Sequence, residues 1–260
     1  MTDDLLTVTG LRVEFDGFVA VDDVSLAVSQ GSVVGLIGPN GAGKTSIVDA
    51  LTGHVAPAAG HVEFAGEDIT GLKASRVARK GMARTFQAAE LFDDLTVDQN
   101  LIASGARMGL LSAVHDTLFP DRSRDKESVG WARSQCGLDA VSGRKPGDLT
   151  HLERKLVMVA RALAQRPRLI LLDEPAADLD GAASAELGMR LRSLARRGLS
   201  LLLVDHDLEL VLGLSDVVVV LDHGRVIARG SPDEVRNDPE VIRQYLGSSS
   251  PALRERGQSG

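Results

Sequence analysis

The sequence predicts an α/β fold whose alternation of strands and helices is interrupted by a helical insert. Three observations predict it. A glycine-rich loop at residues 38–45 joins an apolar run to a helical pattern. Strand signals then stop from about residue 88 to residue 164, and an apolar run at 169–172 resumes the strand–helix alternation. Short, fully apolar runs are typical of buried parallel strands.

The first third of the chain alternates strands with turns. Residues 8–15, 25–28 and 32–37 are strand-like, with turns at 16–17 and 30–31. A helix is predicted to begin at Gly43 and to run through Leu51. Strands at 60–64 and 82–86 follow, with a turn at 65–68.

The stretch 88–164 has a helical pattern with loops at 120–125 and 144–148. Beyond it, the sequence predicts a strand at 169–172, a helix at 182–197 and strands at 199–204, 217–221 and 225–229. The most apolar region, 199–221, is broken by charged residues, so it predicts strand, helix and strand and not a membrane span. The polar tail at 248–260 is predicted to be disordered.

The loop at 38–45 carries the strongest chemical signal. Its glycines let successive N–H groups point inward at a polyphosphate. Lys44 can reach the β- and γ-phosphates, and the Thr45 hydroxyl can ligate Mg²⁺. The alternative is a glycine turn that only joins a strand to a helix. The predicted nucleotide contacts, which fit G-x-x-x-x-G-K-[ST] and add one residue, are Gly38, Pro39, Asn40, Gly41, Ala42, Gly43, Lys44, Thr45 and Ser46.

The apolar run at 169–172 ends in two acids. Asp173 at the end of a strand beside the phosphate loop can hold Mg²⁺ through its water shell. Glu174 can orient or deprotonate an attacking water. The alternative for the pair is a solvated strand terminus.

Composition narrows the classes of partner. The net charge of −7 argues against a protein whose main partner is nucleic acid. The single cysteine, Cys136, excludes an intrachain disulfide and a cysteine-based zinc site, and it is expected to be a small apolar filler in a reducing cytoplasm. The acidic start Thr2–Asp4 lacks the basic region of a signal peptide.

The loop and the two acids together resemble the ATPase cassette of ABC transporters. Gln87 looks like the glutamine of the family's Q-loop, His206 like its switch histidine, and residues 175–180 like the D-loop at its dimer interface. Phe15 matches the aromatic that stacks on adenine, with Phe18 as the alternative. The resemblance implies ATP and Mg²⁺ as cofactors, catalytic roles for Lys44, Gln87, Glu174 and His206, and metal ligation by Thr45, Gln87 and Asp173.

The resemblance also implies an architecture and a setting. The fold would be a P-loop NTPase (RecA-like) core with an N-terminal antiparallel β subdomain and an inserted α-helical subdomain. Its expected parts are 1–87 with 165–247 for the core and β subdomain, 88–164 for the helical signature subdomain, and 248–260 for the tail. The implied partners are two transmembrane permease subunits, a second ATPase chain and, indirectly, a solute-binding protein. The location would be the inner face of the cell membrane, with docking around residues 87–98.

Within that family, the chain looks most like the ATPases of branched-chain (hydrophobic) amino-acid importers. The resemblance lies in residues 84–87 with 91–97, in 173–177 and in 237–247. Lipopolysaccharide-export ATPases look similar over parts of the chain, so lipid export is the alternative. A soluble ABC ATPase of DNA repair or translation is disfavoured, because the insert has no sustained heptads and the chain has one phosphate loop.

One motif departs from the family pattern. Where the family has Leu-Ser-Gly-Gly-Gln, this chain has Leu149, Thr150, His151, Leu152 and Glu153, so both glycines are missing. The spacing Thr-x-x-Glu predicts a helix capping box, which by itself explains two of the five residues. In the family this motif faces the ATP of the opposite chain. The departure suggests that this chain pairs with a second cassette carrying a standard motif, although two active sites in a homodimer stay open.

Overall fold

A computed structural model describes residues 4–85, 91–105, 122–205 and 207–243. The predicted disordered tail at 248–260 lies outside these residues. The strands are β1 (Asp4–Phe15), β2 (Phe18–Ser29), β3 (Val33–Ile37), β4 (Ala59–Phe64), β5 (Glu67–Asp68), β6 (Met82–Thr85), β7 (Leu169–Asp173), β8 (Ser200–Val204), β9 (Val217–Asp222) and β10 (Arg225–Gly230).

The helices of the described residues are numbered in chain order. They are α1 (Lys44–Leu51), α2 (Ala74–Arg79), α3 (Val97–Gly105), α4 (Arg122–Gln135), α5 (His151–Leu163), α6 (Gly181–Arg196), α7 (Leu208–Leu214), α8 (Pro232–Arg236) and α9 (Pro239–Val241). Single 3₁₀ turns lie at Asp139–Val141 and Pro146–Asp148.

The N-terminal strands form an antiparallel sheet in the order β2-β1-β4-β5. β1 and β2 are joined by the two-residue turn of Asp16 and Gly17, both with positive φ, which matches the twist of a tight hairpin. Both strands are longer than the sequence predicts. The added residues mix buried apolar side chains, such as Leu6 and Val21, with exposed ones such as Asp4 and Asp23, and the backbone ladder continues through both kinds.

The second sheet has the order β10-β9-β3-β8-β7-β6 and is parallel except for β10. Alternate residues of its central strands enter two separate cores. One core contains the helices α3 to α7, and the other contains α1 and the antiparallel sheet. Burial on both faces explains why β3, β7 and β8 are almost wholly apolar. The predicted α/β fold with an antiparallel β subdomain is confirmed.

The helical stretch between β6 and β7 contains α3, α4 and α5. The prediction of a loop over 120–125 is wrong at its last four residues, because α4 begins at Arg122; residues 120 and 121 lie outside the described residues. Four charged or hydroxyl residues gave that segment a loop composition, but they start a helix whose later turns pack against the core through Val129 and Ala132. None of the described helices is both long and apolar enough to cross a membrane.

Cys136 is buried at the end of α4, as the sequence suggests. Its side chain is 1% exposed, and burial raises the pKa of its thiol to about 12. Because the thiolate is the reactive form, we expect a thiol reagent such as DTNB to leave the folded chain unlabelled at pH 8 and to label one group per chain in denaturant. Rapid, stoichiometric labelling without denaturant would contradict this placement.

Candidate active site

The phosphate loop lies at the carboxyl end of β3, in the middle of the parallel sheet. Glycine is required at two of its positions. At Gly38, a Cβ atom would come within 2.4 Å of the carbonyl oxygen of Leu221. Gly43 has a φ of 99°, and a Cβ there would lie 2.5 Å from the carbonyl oxygen of Ala20. The carbonyl groups of Leu221 and Ala20, which belong to other strands, thus leave space only for glycine at these two positions of the loop.

Lys44 is buried beneath this loop. Its ammonium group donates hydrogen bonds to the carbonyl oxygens of Gly38 at 2.7 Å and Pro39 at 3.0 Å. Burial lowers the pKa of Lys44, and the nearby carboxylates of Glu174, Asp173 and Asp205 oppose that shift. The cation is therefore held between the loop and a group of acids.

The amino-terminal end of α1 is open. Gly43 precedes it without a side-chain cap, and its first turn contains no acidic residue. The Thr45 side chain is exposed and Ser46 is partly buried, while Pro39, Asn40 and Gly41 of the loop face solvent. Uncapped N–H groups and the helix dipole favour an anion at such an end.

The two acids lie at the carboxyl end of β7, which is two strands away from β3 and its phosphate loop in the sheet. Asp173 is the last residue of β7, and its side chain is 5% exposed. Glu174 is partly buried and has a φ of 47°, the left-handed region that a non-glycine residue adopts only at a cost of about 1 kcal/mol. Its N–H group donates to the carbonyl oxygen of Val204 at 2.7 Å, which holds this turn against β8.

Asp205 is a third acid, and sequence reasoning missed it. It follows β8 and is completely buried. One carboxylate oxygen accepts from the N–H of Ala176 at 3.1 Å, and the other accepts from the N–H of Asp207 at 2.9 Å. Asp205 thus ties the segment after Glu174 to the segment after β8. In the sequence, the only sign that Asp205 belongs to the site was its position at the end of a strand.

Arg84 was also missed as a site residue. It lies on β6, and its guanidinium donates to Asp173 Oδ2 at 2.9 Å and to Asp49 of α1. The hydroxyl of Thr85 accepts from the Asp173 N–H at 3.4 Å. The end of β6 therefore holds both the backbone and the carboxylate of Asp173.

The turn between β9 and β10 supports the phosphate loop from the side. The N–H of Gly224 donates to the carbonyl oxygen of Ala42 at 3.1 Å, and its own carbonyl accepts from the Asp22 N–H at 2.8 Å. Gly224 has a φ of 77°, and a Cβ would approach the carbonyl oxygen of Ala20 to 2.7 Å. Nothing in the local sequence indicates that this hairpin turn contacts the loop.

Two aromatic residues lie at the tip of the β1–β2 hairpin. Phe15 and Phe18 are paired directly across the turn, and their exposed fractions are 42% and 68%. Both present ring surface to solvent, so either could stack on a planar base. Their adjacency keeps Phe18 as the alternative to Phe15.

The predicted capping box is present at the start of α5. The Glu153 N–H donates to the Thr150 hydroxyl at 3.2 Å, and the Thr150 N–H donates to the Glu153 carboxylate at 2.7 Å. A carboxylate therefore already occupies the amino-terminal end of α5, whereas the amino-terminal end of α1 has no such carboxylate. The resemblance would place the starts of α1 and α5 around ATP. The start of α1 is open to an anion, and the start of α5 already carries a negative charge.

The segment 175–180 leads from the acids into α6. Asp178 is exposed with a φ of 66°, and Asp180 caps α6 by accepting from the Ala183 N–H at 2.8 Å. Capping accounts for Asp180 without any partner chain.

Two predicted site residues, Gln87 and His206, lie outside the described residues. The described residues stop two positions before Gln87, at Thr85 of β6, and Asp205 and Asp207 flank residue 206. Beyond residue 90, the loop 92–96 is held by the buried Asn100, whose amide donates to the Phe92 and Leu95 carbonyls at 3.1 Å each. The Phe92 ring is exposed and lies 5.4 Å from the Arg161 guanidinium.

The oxygen donors at this site fit a magnesium ion. Thr45 offers an exposed hydroxyl at the start of α1, and Asp173 offers a carboxylate at the end of β7. Magnesium in phosphate sites takes one or two protein oxygens and completes its shell with phosphates and water. Thr45 and Asp173 would hold the ion, which when bound neutralises charge on the phosphates.

The geometry can therefore hold a triphosphate and present an acid to water near it. Backbone N–H groups and Lys44 could bind the phosphates, and the Thr45 hydroxyl and Asp173 could hold the metal. Glu174 follows Asp173 directly, and a carboxylate there can accept a proton from water.

Comparison with known proteins agrees with this chemistry. The profile described as ABC transporter matches residues 21–177, and a profile described as branched-chain amino acid ATP-binding cassette transporter matches residues 225–250. The chain is 36% identical over 256 residues to the high-affinity branched-chain amino acid transport ATP-binding protein BraF of Pseudomonas aeruginosa, covering 96% of this chain and all of that protein. It is also 36% identical over 244 residues to the lipopolysaccharide export system ATP-binding protein LptB of Acidithiobacillus ferridurans, covering 94% of this chain and 97% of that protein.

Solved structures show the same fold. The ADP conformation of an ATP-binding cassette of an ABC transporter superposes with a TM-score of 0.85 at 30% identity, covering 94% of this chain and 99% of that chain. A nucleotide-free ATP-binding cassette from an ABC transporter gives a TM-score of 0.83 at 29% identity, covering 93% and 98%. The chain belongs to the ABC transporter family and is one of its ATP-binding cassettes.

Proposed function

We propose that this chain is the ATP-hydrolysing subunit of an importer for branched-chain or other hydrophobic amino acids. The supporting observation is the match of residues 225–250 to the branched-chain amino-acid cassette profile. Overall identity does not decide between import and lipid export, because the named relatives of both kinds are 36% identical to this chain. The C-terminal segment is what favours import.

The proposed roles are supported by the placement of the described side chains and, for Gln87 and His206, by the resemblance of the sequence to the family motifs alone. The loop 38–43, Lys44 and Ser46 bind the phosphates of ATP, and Phe15 stacks on adenine. Thr45 and Asp173 hold Mg²⁺, with Gln87 as a further ligand. Glu174 accepts the proton of the attacking water, and His206 contacts the γ-phosphate. Among the residues with proposed roles that the structure describes, the strongest support for ATP binding comes from the open amino-terminal end of α1 and the buried ammonium group of Lys44.

Its proposed partners are two transmembrane permease subunits and a second cassette, with a solute-binding protein delivering the amino acid. The chain then works at the inner face of the cell membrane. Residues 87–98 form the docking surface, which is supported by the exposed Phe92 on a loop fixed by Asn100. The proposed division is 1–87 with 165–247 for the core, and 88–164 for the helical part that transmits its motion.

The second cassette is proposed to be a different chain with a standard signature motif. This proposal is supported by the carboxylate of Glu153, which is hydrogen-bonded at the amino-terminal end of α5. A γ-phosphate approaching that end would meet a negative charge and the Leu152 side chain where glycine leaves space. The ATP bound by this chain would instead face the partner's signature, so this chain holds the stronger of two unequal sites.

Reconstitution tests the proposed function. The chain is purified with the permeases and second cassette encoded beside it, placed in proteoliposomes with the solute-binding protein, and assayed for uptake of radiolabelled leucine, isoleucine and valine. We expect ATP-dependent uptake that Lys44→Ala abolishes, because this change removes the buried cation of the phosphate loop.

The alternatives give different results in the same preparation. ATP-dependent release of lipid without amino-acid uptake would support an exporter and overturn the importer. ATPase activity in a chain that binds no permease would support a non-transport ATPase. An exposed-carboxylate control, Asp233→Ala, should leave uptake unchanged.

A further inference from the structure

Arg84 links two acids that belong to different parts of the nucleotide site. Its side chain is 9% exposed, and one guanidinium nitrogen donates to Asp49 while another donates to Asp173 at 2.9 Å. Asp49 lies on α1, which begins at Lys44, and Asp173 ends β7. The arginine thus joins the helix of the phosphate loop to the carboxylate expected at the metal.

We propose that Arg84 is a positioning residue for the magnesium site, holding one oxygen of Asp173 so that the other faces the ion. This inference rests on the proposed binding of Mg²⁺ and ATP. The bond from Arg84 uses Oδ2 of Asp173, which leaves Oδ1 for the water shell of the metal. Guanidinium is suited to this task because its N–H groups have a fixed planar geometry and its charge persists at any working pH.

Two features make the arrangement rigid. The Asp173 N–H donates to Thr85, the residue after Arg84, so the same strand end fixes both the backbone and the side chain of the acid. Asp49 holds the guanidinium from the opposite side. Partners that orient a metal ligand from behind commonly change metal affinity by about 10-fold to 100-fold when removed.

Charge and orientation predict opposite effects, which makes the proposal testable. Removing the positive charge of Arg84 should strengthen the attraction of Asp173 for Mg²⁺ if only charge matters. Removing the hydrogen bond from Arg84 to Asp173 should weaken Mg²⁺ binding if the orientation of the Asp173 carboxylate matters. Whether the Mg²⁺ requirement rises or falls therefore shows whether Arg84 acts through orientation or through charge.

The experiment measures ATP binding by the full chain, in EDTA and as a function of free Mg²⁺. For Arg84→Gln, we expect the half-saturating Mg²⁺ concentration to rise about 10-fold or more, with ATP affinity in EDTA unchanged within about twofold. Arg84→Lys should show the same defect, since an ammonium group cannot provide the planar fork that serves both acids. Binding of Mn²⁺ with ADP, followed by electron paramagnetic resonance, reports the metal separately from hydrolysis.

Two further variants complete the design. Asp49→Asn should raise the Mg²⁺ requirement less than Arg84→Gln, and the double variant should equal Arg84→Gln alone, because Asp49 acts through the arginine. The matched control is Arg133→Gln, since Arg133 also bridges two acids, Asp98 and Asp139, but does so in the helical insert. It should leave the Mg²⁺ requirement unchanged.

Several results would overturn the proposal. They are an unchanged or lower Mg²⁺ requirement in Arg84→Gln, full rescue by Arg84→Lys, or additive effects in the double variant. Should Arg84→Gln fail to fold, an unchanged requirement in Asp49→Asn overturns it instead. Absence of Mg²⁺-dependent ATP binding in the unmodified chain would overturn the proposed function itself, which is a separate outcome.

Discussion

The Glu174→Gln substitution in this chain is expected to abolish most of the ATPase activity of the assembled transporter. Glutamine keeps the size of the side chain and the turn at φ 47°, but its amide cannot accept a proton from water. Loss of a general base typically lowers the rate about 100-fold or more, while ATP binding should change little. Steady-state phosphate release and equilibrium ATP binding measure the two quantities separately.

The corresponding change in the second cassette should have a smaller effect. Its ATP would face the start of α5 in this chain, where the Glu153 carboxylate already caps the helix. The companion site would therefore contribute little activity, and most turnover should survive. Equal losses from the two substitutions would contradict unequal sites, and near-full activity with Glu174→Gln would contradict the role of Glu174.

A repair of the signature provides the matched control. Leu152→Gly combined with Glu153→Gln removes the bulk and the charge from the end of α5. Glutamine at 153 still bonds the Thr150 N–H, so the helix cap should persist. We expect the companion site to gain activity, visible as turnover that resists Glu174→Gln in this chain.

Asp205→Ala is expected to destabilise the fold and to slow hydrolysis. The change leaves the N–H groups of Ala176 and Asp207 without their acceptors at a site with no exposure. An unsatisfied buried donor costs about 1–3 kcal/mol, so losing the acceptor of these two N–H groups should lower the free energy of unfolding by about 2 kcal/mol or more. Urea denaturation measures this loss.

The effect on hydrolysis arises because Asp205 fixes the segment that follows Glu174. With that bond lost, the segment after Glu174 loses its tie to the segment after β8, while the bond from the Glu174 N–H to Val204 remains. We expect a lower kcat with a nearly unchanged KM for ATP, since the phosphate loop itself keeps its contacts. Asp233→Ala, at an exposed carboxylate in α8, is the control. A stability equal to that of the control would contradict this account.

Local sequence was sufficient wherever the physical cause is local. The tight turn of the phosphate loop, the apolar strands buried on both faces and the capping box at Thr150 all depend on residues a few positions apart, and all appear as expected. The loop predicted over 120–125 is wrong at residues 122–125, for the opposite reason. Polar composition suggested a loop, whereas packing of the later turns of α4 makes the segment helical.

Contacts between distant segments had no local signal. Arg84 is 35 residues from Asp49 and 89 from Asp173, yet it joins both. Gly224 meets Ala42 only because β9 pairs with β3 in the parallel sheet. In each case, the pairing of strands far apart in the chain brings together groups whose identities alone do not show that they interact.

The sequence by itself determined that this protein binds a polyphosphate and carries two acids at a strand end, since glycines, Lys44, Asp173 and Glu174 act through short-range chemistry. Only the tertiary structure decided how those groups are held. Arg84 bonds the carboxylate of Asp173 across the sheet, and Asp205 bonds the N–H of Ala176, two residues after Glu174. Orientation of a buried acid requires partners on neighbouring strands, and strand order is a property of the folded chain.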